Sequence, residues 1–269
     1  MTDIIKIDSN HIVDIKTVQS SAIKTLVESL KEILTDANLI IDKNGIKLIA
    51  MDSTHSVLVY LKLEADKFES FYCKEKIKLG ISMLNLYKLI KTITTNDTLT
   101  FFVEEKDMNT LGIKIFNEIK NSQTVYKLNL LDISEEEITI PPAEFDTELT
   151  LPSSEFQKII RDMINIGTLT EIKSIGTTLE FKCDGDYATQ TTTLGETQNC
   201  LQFKQNSNSD DTIQGIFSLK YLSLFTKCTN LCNQIQLYIK NDYPLIIQYT
   251  VASLGIIKLC LAPNIDNDE

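Results

Sequence analysis

Residues 130–152, LLDISEEEITIPPAEFDTELTLP, decide the fold because they divide the chain into two halves. The stretch combines three consecutive glutamates with the adjacent prolines Pro141 and Pro142, and it lies between segments in which apolar residues alternate. A proline pair continues neither a helix nor an inner strand, since proline lacks the backbone N–H that both require. We therefore expect a linker between two domains.

The two halves resemble each other in the order and spacing of their elements. Three features of the first half recur in the second at offsets of 131 to 136 residues: the helix pattern from Ser21 at Ser153, the turn signal of Gly45 at Gly176, and the helix pattern from Ser82 at Ser218. Recurrence in one order and at nearly one offset indicates an internal duplication.

Each half repeats one pattern: a strand, an amphipathic helix, several strands, a second helix and further strands. The first helix places Ile23, Leu26, Val27 and Leu30 at the spacing of one helical face, with charged residues opposite. The strand segments alternate apolar and polar residues between turn signals, as antiparallel strands with one solvated face do. The sequence predicts an α+β fold of two similar domains, each with antiparallel sheets and two helices.

The linker sets the expected domain boundaries. We expect an N-terminal domain at residues 1–131, a connector at 132–145 and a C-terminal domain at 146–269. Pro152 precedes the first helix of the second half, in which Ser154 and Gln157 have the spacing of a capping box.

The composition argues against several classes of protein. A net charge of −11 repels polyanions at long range, so any contact with nucleic acid must be local. No apolar run approaches the ~20 residues of a membrane span, and the N-terminus lacks the pattern of a signal peptide. The six cysteines lack paired CxxC spacing, which favours reduced, packed thiols over disulfides or metal sites. We expect a soluble intracellular protein without a metal or cofactor.

The search for catalytic motifs leaves one cluster, Asp52, Ser53 and His55. The chain has two histidines, and it lacks the GxGxxG, GxxxxGK[ST], GxSxG and HExxH patterns. Members of a catalytic triad normally come from separate elements, so that each side chain can point at the next. A polar turn between two strands is the simpler interpretation, and an enzyme that uses Asp52 and His55 is the alternative.

Basic residues occur in pairs on all four predicted helices. The pairs are Lys24 and Lys31, Lys88 and Lys91, Lys158 and Arg161, and Lys220 and Lys227. Spacings of three or seven residues keep both charges of a pair on one helical face. One interpretation is an ordinary solvated surface. The other is a face that binds phosphates, and its recurrence on every helix of an acidic protein favours it.

Residues Leu48–Leu63, LIAMDSTHSVLVYLKL, resemble eukaryotic-type DNA sliding clamps, the proliferating cell nuclear antigen family, whose members carry a similar M-D-S-S-H run before an alternating strand. Four further segments resemble the family's connector, third helix, fourth helix and acidic tail: ISEEEITIPPAEF, SSEFQKIIRDM, KYLSLFTKCT and LAPNIDNDE. The resemblance extends in order over essentially the whole chain.

The resemblance implies a processivity factor that catalyses nothing itself. A ring of three subunits would encircle duplex DNA and tether DNA polymerase and other replication and repair proteins, after a clamp loader opens it. The paired basic residues would line its channel. We expect the nucleus, or the replication site of a large DNA virus, as its location. A subunit of a heteromeric clamp, or a checkpoint or viral clamp-like protein of lower order, is the rival within the class.

The resemblance also implies a groove for short partner peptides. Its residues would be Met51, His55, Leu58, Ile138, Ile140, Pro141, Pro244, Ala262 and Pro263. Ser56 and Cys260 depart from the family pattern beside this groove, and Ser174 replaces the lysine that accepts ubiquitin in the family.

The ring would need two edge strands that pair between subunits. The resemblance implies that Ser122–Leu130 pairs with Tyr187–Leu194 of the next copy, and both segments contain several Thr and Gln and few charges, which suits edges that pair with another chain.

Overall fold

The computed structural model describes residues 10–134, 138, 143–205 and 212–264. The polar run QNSNSDD at residues 205–211 predicts a loop, and all but its first residue lie outside this range, as do Ile140 and Pro141 of the expected groove. Among the described residues, no helix combines the length and apolar character of a membrane span.

The first half contains nine strands and two helices within its described residues. In chain order they are β1 (His11–Thr17), α1 (Ser20–Ile33), β2 (Asp36–Asp42), β3 (Gly45–Met51), β4 (Val57–Glu64), β5 (Ser70–Cys73), β6 (Ile77–Ser82), α2 (Met83–Ile90), β7 (Asp97–Glu104), β8 (Asp107–Asn117) and β9 (Ser122–Asn129). A short 3-10 helix, Ala65–Lys67, follows β4.

The second half repeats this order. Its described elements are β10 (Thr147–Pro152), α3 (Ser153–Met163), β11 (Leu169–Ile175), β12 (Thr178–Asp184), β13 (Thr189–Gly195), β14 (Gln202–Gln205), β15 (Thr212–Ser218), α4 (Leu219–Phe225), β16 (Gln234–Ile239), β17 (Leu245–Val251) and β18 (Gly255–Leu261). The predicted helix pattern from Ser218 to Asn230 is divided, because a 3-10 helix at Thr226–Leu231 follows α4.

The sheets repeat as well. In the first half the strands run in the orders β5-β1-β7-β8-β9 and β6-β2-β3-β4; in the second half they run in the orders β14-β10-β16-β17-β18 and β15-β11-β12-β13. Adding nine to each strand number of a first-half order gives the corresponding second-half order. Antiparallel pairing holds in both halves, for example between β7 and β8 and between β16 and β17. The predicted α+β fold with two similar domains is confirmed.

The apolar faces predicted from periodicity form the cores. On α3, Phe156, Ile159, Ile160 and Met163 are at most 3% exposed, while Lys158, Arg161 and Asp162 between them are exposed. Strand β4 alternates buried and half-buried residues along its whole length. Each fully buried aliphatic or aromatic side chain contributes roughly 1.5–3 kcal/mol, so these faces account for the packing of helices on sheets.

The described residues form two compact units. The first holds residues 10–50, 60–134, 138 and 251–257, and the second holds 51–59, 143–205, 212–250 and 258–264. Each unit therefore includes a short segment from the other half of the sequence: the β17–β18 turn belongs to the first unit, and the β3–β4 loop belongs to the second.

Two details of the sequence interpretation were wrong. Helix α3 begins at Ser153, directly after Pro152, as expected, but the predicted capping box is absent: no side chain caps the helix, and the amide of Gln157 donates to Thr226 O at 3.2 Å. Gly45 and Gly176 are also not equivalent. Gly45 is the first residue of β3, whereas Gly176 lies inside the turn that precedes β12.

Candidate functional site

Helices α1 and α2 of the first unit are joined by polar contacts on the face that carries the predicted basic residues. The hydroxyl of Tyr87 donates to Glu28 Oε1 at 2.9 Å, and Lys31 Nζ lies 4.9 Å from the centre of the Tyr87 ring. Lys24 Nζ donates to Ile93 O at 2.6 Å, just beyond the end of α2. These contacts fix α1 and α2 as one surface.

The four basic residues of this surface differ in their exposure and in the contacts that they make within the protein. Lys24 and Lys31 are half-buried, and Lys31 also forms an ion pair with Glu32. Lys88 and Lys91 are exposed. The Lys88 amine lies 3.5 Å from Asn85 Oδ1, a contact at the limit of a hydrogen bond. Lys88 and Lys91 are therefore the residues of this pair of helices that are freest to meet a ligand.

In the second unit all four predicted basic residues, Lys158, Arg161, Lys220 and Lys227, are exposed. Lys158 has a weak contact with Glu155 at 3.9 Å, and exposed pairs of this kind contribute little to stability. Lys220 Nζ lies 5.3 Å from the centre of the neighbouring Tyr221 ring.

The charges on the four helices are unequal. On α1 the acidic residues Glu28 and Glu32 offset its two lysines, and on α3 Glu155 and Asp162 offset the two basic residues. By contrast, α2 and α4 with the turns that follow them carry two lysines each and no acidic residue. The local positive charge therefore comes from α2 and α4, although the chain as a whole is acidic.

The cluster of Asp52, Ser53 and His55 is a structured loop. Asp52 Oδ1 accepts hydrogen bonds from Ser56 N and Val57 N, both at 2.8 Å, and Oδ2 accepts from the backbone and hydroxyl of Thr54. His55, in the left-handed region at φ 57°, donates its backbone N–H to Asp52 O at 3.0 Å.

These bonds decide the protonation of Asp52. Burial raises the pKa of the carboxyl, but hydrogen bonds from the Thr54 hydroxyl and from the backbone of Val57, Thr54 and Ser56 outweigh that effect, and the pKa is lowered. A carboxylate held charged by bonds to its own loop organises that loop, and it is poorly suited to accept a proton as a general base.

Residues 51–59, which include this loop, belong to the second unit and contain three of the residues expected in the groove. Ala262 N donates to Ser56 O at 3.1 Å, and Thr54 Oγ1 shares a hydrogen bond of 2.7 Å with the hydroxyl of Tyr221. Met51, His55 and Ala262 are exposed, whereas Leu58, Pro244 and Pro263 are half-buried. The structure thus brings the Asp52 loop together with the Ala262 end of β18. Ile138 is half-buried and belongs to the first unit.

A cavity of about 510 Å³ lies next to Pro263 in the second unit. Strand β15, Tyr243 and Asn264 line it, and Asn264 N donates to Ile216 O at 2.7 Å. Of the two residues that depart from the family pattern beside the groove, Ser56 bonds Ala262 as above, and Cys260 is buried. Burial raises the pKa of the Cys260 thiol to about 11.

Both described ends of the connector are attached to their own unit. In the first unit, Leu131 N donates to Gly80 O at 2.8 Å and Asn38 Nδ2 donates to Ile133 O at 3.2 Å. In the second unit, the ring of Phe145 packs against Tyr238 and Tyr243, with centroids 5.5 and 5.9 Å away. This aromatic cluster was not predicted, although an aromatic residue soon after a proline pair indicates a side chain that could hold the connector to the domain.

Strands β9 and β13 each lie at the edge of a sheet, as expected for Ser122–Leu130 and Tyr187–Leu194. In β13 the exposed side chains include Thr189, Thr191 and Thr193, and in β9 Val125 is 47% exposed.

None of the six cysteines forms a disulfide. Within the described ranges, no three His, Cys, Asp or Glu side chains converge as a metal site would require. Ser174, at the position where the family has a modified lysine, is buried in β11.

Comparison with known proteins covers both halves. The family model of the proliferating cell nuclear antigen N-terminal domain matches residues 12–137, and that of the C-terminal domain matches residues 139–264. A protein described as "Probable DNA polymerase sliding clamp 1", from Paramecium bursaria Chlorella virus 1, is 35% identical over 260 residues, which are 95% of this chain and 98% of that protein. With both domains matched in order, the chain belongs to the proliferating cell nuclear antigen family.

Proposed function

We propose that this sliding clamp works as a closed ring of three copies, which encircles duplex DNA and tethers DNA polymerase and other replication and repair proteins to it. It is not an enzyme: it acts by holding others on DNA. Both expected domains, 1–131 and 146–269, would contribute to the ring, joined by the connector 132–145. Its place would be the nucleus or the replication site of a large DNA virus, where a clamp loader opens it.

The observation that carries the ring is the duplication, which leaves β9 and β13 as edge strands. Their counterparts in the repeat are β18 and β4, and the segments at the ends of these two strands are hydrogen-bonded. In the first unit Glu64 N, at the end of β4, donates to Leu254 O, just before β18, at 2.9 Å; in the second unit Ala262 N, just after β18, donates to Ser56 O, just before β4. By analogy, β9 of one copy would bond β13 of the next. Such head-to-tail contacts close a ring when the rotation between copies closes.

Contact with DNA would come from the exposed basic residues of the helices, chiefly those of α2 and α4. Lysines that meet phosphates bind without regard to sequence, which permits sliding. Because the chain as a whole is acidic, the contacts would be weak, and enclosure of the duplex would retain the clamp.

The groove would bind short peptides of partner proteins. Its described residues expose apolar surface beside a cavity, and exposed apolar surface of this kind often marks a docking site. We propose an occupant of the pattern Q-x-x-[I/L/M]-x-x-[F/Y]-[F/Y], with its aliphatic and aromatic anchors presented from a helical turn.

Light scattering tests the ring. The wild type should have the mass of three chains at micromolar concentration. The double variant Thr191→Lys/Thr193→Lys, which places two charges on the β13 edge, should have the mass of one chain. Met108→Lys, an exposed change on the inner strand β8, is the control and should leave the trimer intact. A wild type found only as a monomer, or as a dimer, would favour the lower-order rival; a trimer unaffected by the β13 charges would exclude this edge.

Titration calorimetry with the peptide tests the groove. Met51→Ala should weaken binding by about 1–3 kcal/mol, because peptide interfaces concentrate their energy in a few anchors. Val18→Ala removes exposed apolar surface outside the groove and should bind as the wild type does. Absence of binding by the wild type, or equal losses in both variants, would remove the groove without affecting the ring.

A further inference from the structure

Lys24 is positioned differently from the other basic residues of the helices. Its amine donates to Ile93 O at 2.6 Å, and the side chain is half-buried. Ile93 is 1% exposed and lies in the turn that closes α2, where its N–H donates to Ile90 O at 3.0 Å. A lysine amine at the carbonyl end of a helix is favoured by the helix dipole and by the unpaired carbonyls there.

The second half contains the same contact made by a different residue. Gln157 Nε2 donates to Thr226 O at 3.2 Å, in the turn after α4. Lys24 and Gln157 lie 133 residues apart, and so do Ile93 and Thr226. In both halves the first helix of the domain therefore sends a side chain to the carbonyl that follows its second helix.

A pair of serines confirms that these positions correspond. Ser20 and Ser153 lie four residues before Lys24 and Gln157. Ser20 Oγ donates to Asp97 O and Ser153 Oγ donates to Cys232 O, both at 2.6 Å. Each domain thus has two side-chain bonds, one helical turn apart, that tie its first helix to the segment after its second.

We propose that Lys24 is a positioning residue that holds α1 against the end of α2, and that it is not itself a phosphate ligand. The inference rests on the proposed function, since it assigns roles within the DNA-facing surface. Glutamine makes the equivalent bond without a charge, so the shared feature is the hydrogen bond. Turning the amine toward DNA would take from Ile93 O the donor that it has in the structure. The phosphate contacts of this helix pair fall to Lys88 and Lys91, whose orientation the bond maintains.

Two measurements on the full-length protein separate these roles. Thermal melting reports the bond between the helices, and the salt dependence of binding to a fluorescent duplex reports phosphate contacts. The logarithm of the binding constant falls with the logarithm of salt by about 0.9 for each phosphate neutralised. Lys24→Met removes amine and charge together, and Lys88→Met does the same at an exposed position.

Lys24→Met should lower the melting midpoint by about 2–5 °C and leave the salt slope unchanged. Lys88→Met should leave the midpoint unchanged and lower the slope. Gln157→Met should reproduce the melting defect of Lys24→Met, and Lys24→Gln should recover at least part of the loss. The proposal is overturned if Lys24→Met melts as the wild type does, or if it lowers the salt slope as much as Lys88→Met. A wild type without salt-dependent binding would refute DNA contact, while the melting results would still decide whether the bond exists.

Discussion

The segment after the second helix differs between the two units although its backbone contacts match. In the first unit, Asp97 Oδ1 accepts a hydrogen bond of 2.6 Å from Asn117 Nδ2. In the second unit, Cys232 Sγ accepts one of 3.4 Å from Thr250 N. Asn117 and Thr250 are 133 residues apart and Asp97 and Cys232 are 135 apart, so nearly corresponding positions are bridged by a carboxylate in one unit and by a thiol in the other. The repeated fold fixes where a contact is made, and each half supplies its own chemistry.

The largest expected effect concerns the corner where β3 begins. Gly45 has φ +140°, and a Cβ there would lie 1.9 Å from Leu63 O. Its counterpart in the second unit, Thr178, carries a full side chain whose hydroxyl donates to Ile175 O at 2.8 Å. Gly45→Ala should therefore lower the free energy of unfolding by more than about 3 kcal/mol, because both the backbone conformation and the space exclude a side chain.

Gly195→Ala is the matched control for this change. A Cβ at Gly195 meets nothing within 4 Å, so the substitution should be neutral or slightly stabilising. Urea denaturation of both variants measures the difference. Similar stabilities for Gly45→Ala and Gly195→Ala would show that the Gly45 corner tolerates a side chain, as the Thr178 corner does.

Acid should destabilise the two units unequally, and the difference should be smaller than the effect of Gly45→Ala. Burial raises the pKa of Asp97, but hydrogen bonds from the Thr94 backbone, the Asn117 amide and the Thr94 hydroxyl outweigh it, so the folded pKa is lowered. The stability from Asp97 is present above the unfolded pKa of about 3.9 and is lost as pH falls through the folded value. Because hydrogen bonds to a charged group are stronger than those to a neutral one, protonation of Asp97 should lower the free energy of unfolding by about 2 kcal/mol.

Cys232 should respond at the opposite end of the pH scale. Burial is the largest effect on the pKa of Cys232, and it raises that pKa despite the bond that the sulfur accepts from Thr250 N. Its contribution is present below the unfolded pKa of about 8.5 and is lost as pH rises toward the folded value. Hydrogen exchange followed by mass spectrometry should show residues 94–97 loosening in acid and residues 228–234 in alkali. Asp97→Asn should flatten the acid response alone; an equal acid response in that variant would contradict this origin.

The sequence predicted the parts of the fold that depend on local pattern. Periodicity identified all four helices, and the positions that it assigned to the core of α3 are buried. Repeat spacing identified the duplication, and the two edge strands were placed correctly. The helices depend on residues close in sequence, and the duplication on the spacing of such local patterns, so the chain alone was enough to find both; the edge strands rested also on the resemblance to the family.

Contacts between distant segments could not be predicted in this way. Gln157 was assigned to a capping box because its distance from Ser154 fits one, but its amide donates to Thr226, 69 residues away. Lys24 was grouped with the other lysines, since spacing gives the face of a helix and not the partner that a side chain finds there. The bond between Thr54 and Tyr221 joins residues 167 apart and left no local signal. The bonds of Asp52 to Thr54 and Ser56 are local, and an aspartate two residues before a threonine is a recognisable turn signal.

The smallest expected effect tests whether the duplication extends to single hydrogen bonds. Ser20 and Ser153 are both almost fully buried, and each hydroxyl donates at 2.6 Å to the carbonyl after the second helix of its unit. Both also have a second acceptor at 3.4 Å, Thr94 O and Thr229 O. A buried hydroxyl bond contributes about 0.5–1.5 kcal/mol, and replacing serine by alanine leaves the carbonyl without that donor.

Because the geometry is the same, Ser20→Ala and Ser153→Ala should destabilise their own units by equal amounts, measured by hydrogen exchange of the amides of α1 and α3. Ser154→Ala, an exposed neighbour, is the control and should change neither. Losses that differ by more than about 1 kcal/mol would mean that Asp97 and Cys232, whose carbonyls accept these bonds, alter the environment of the serines as well as the pH response.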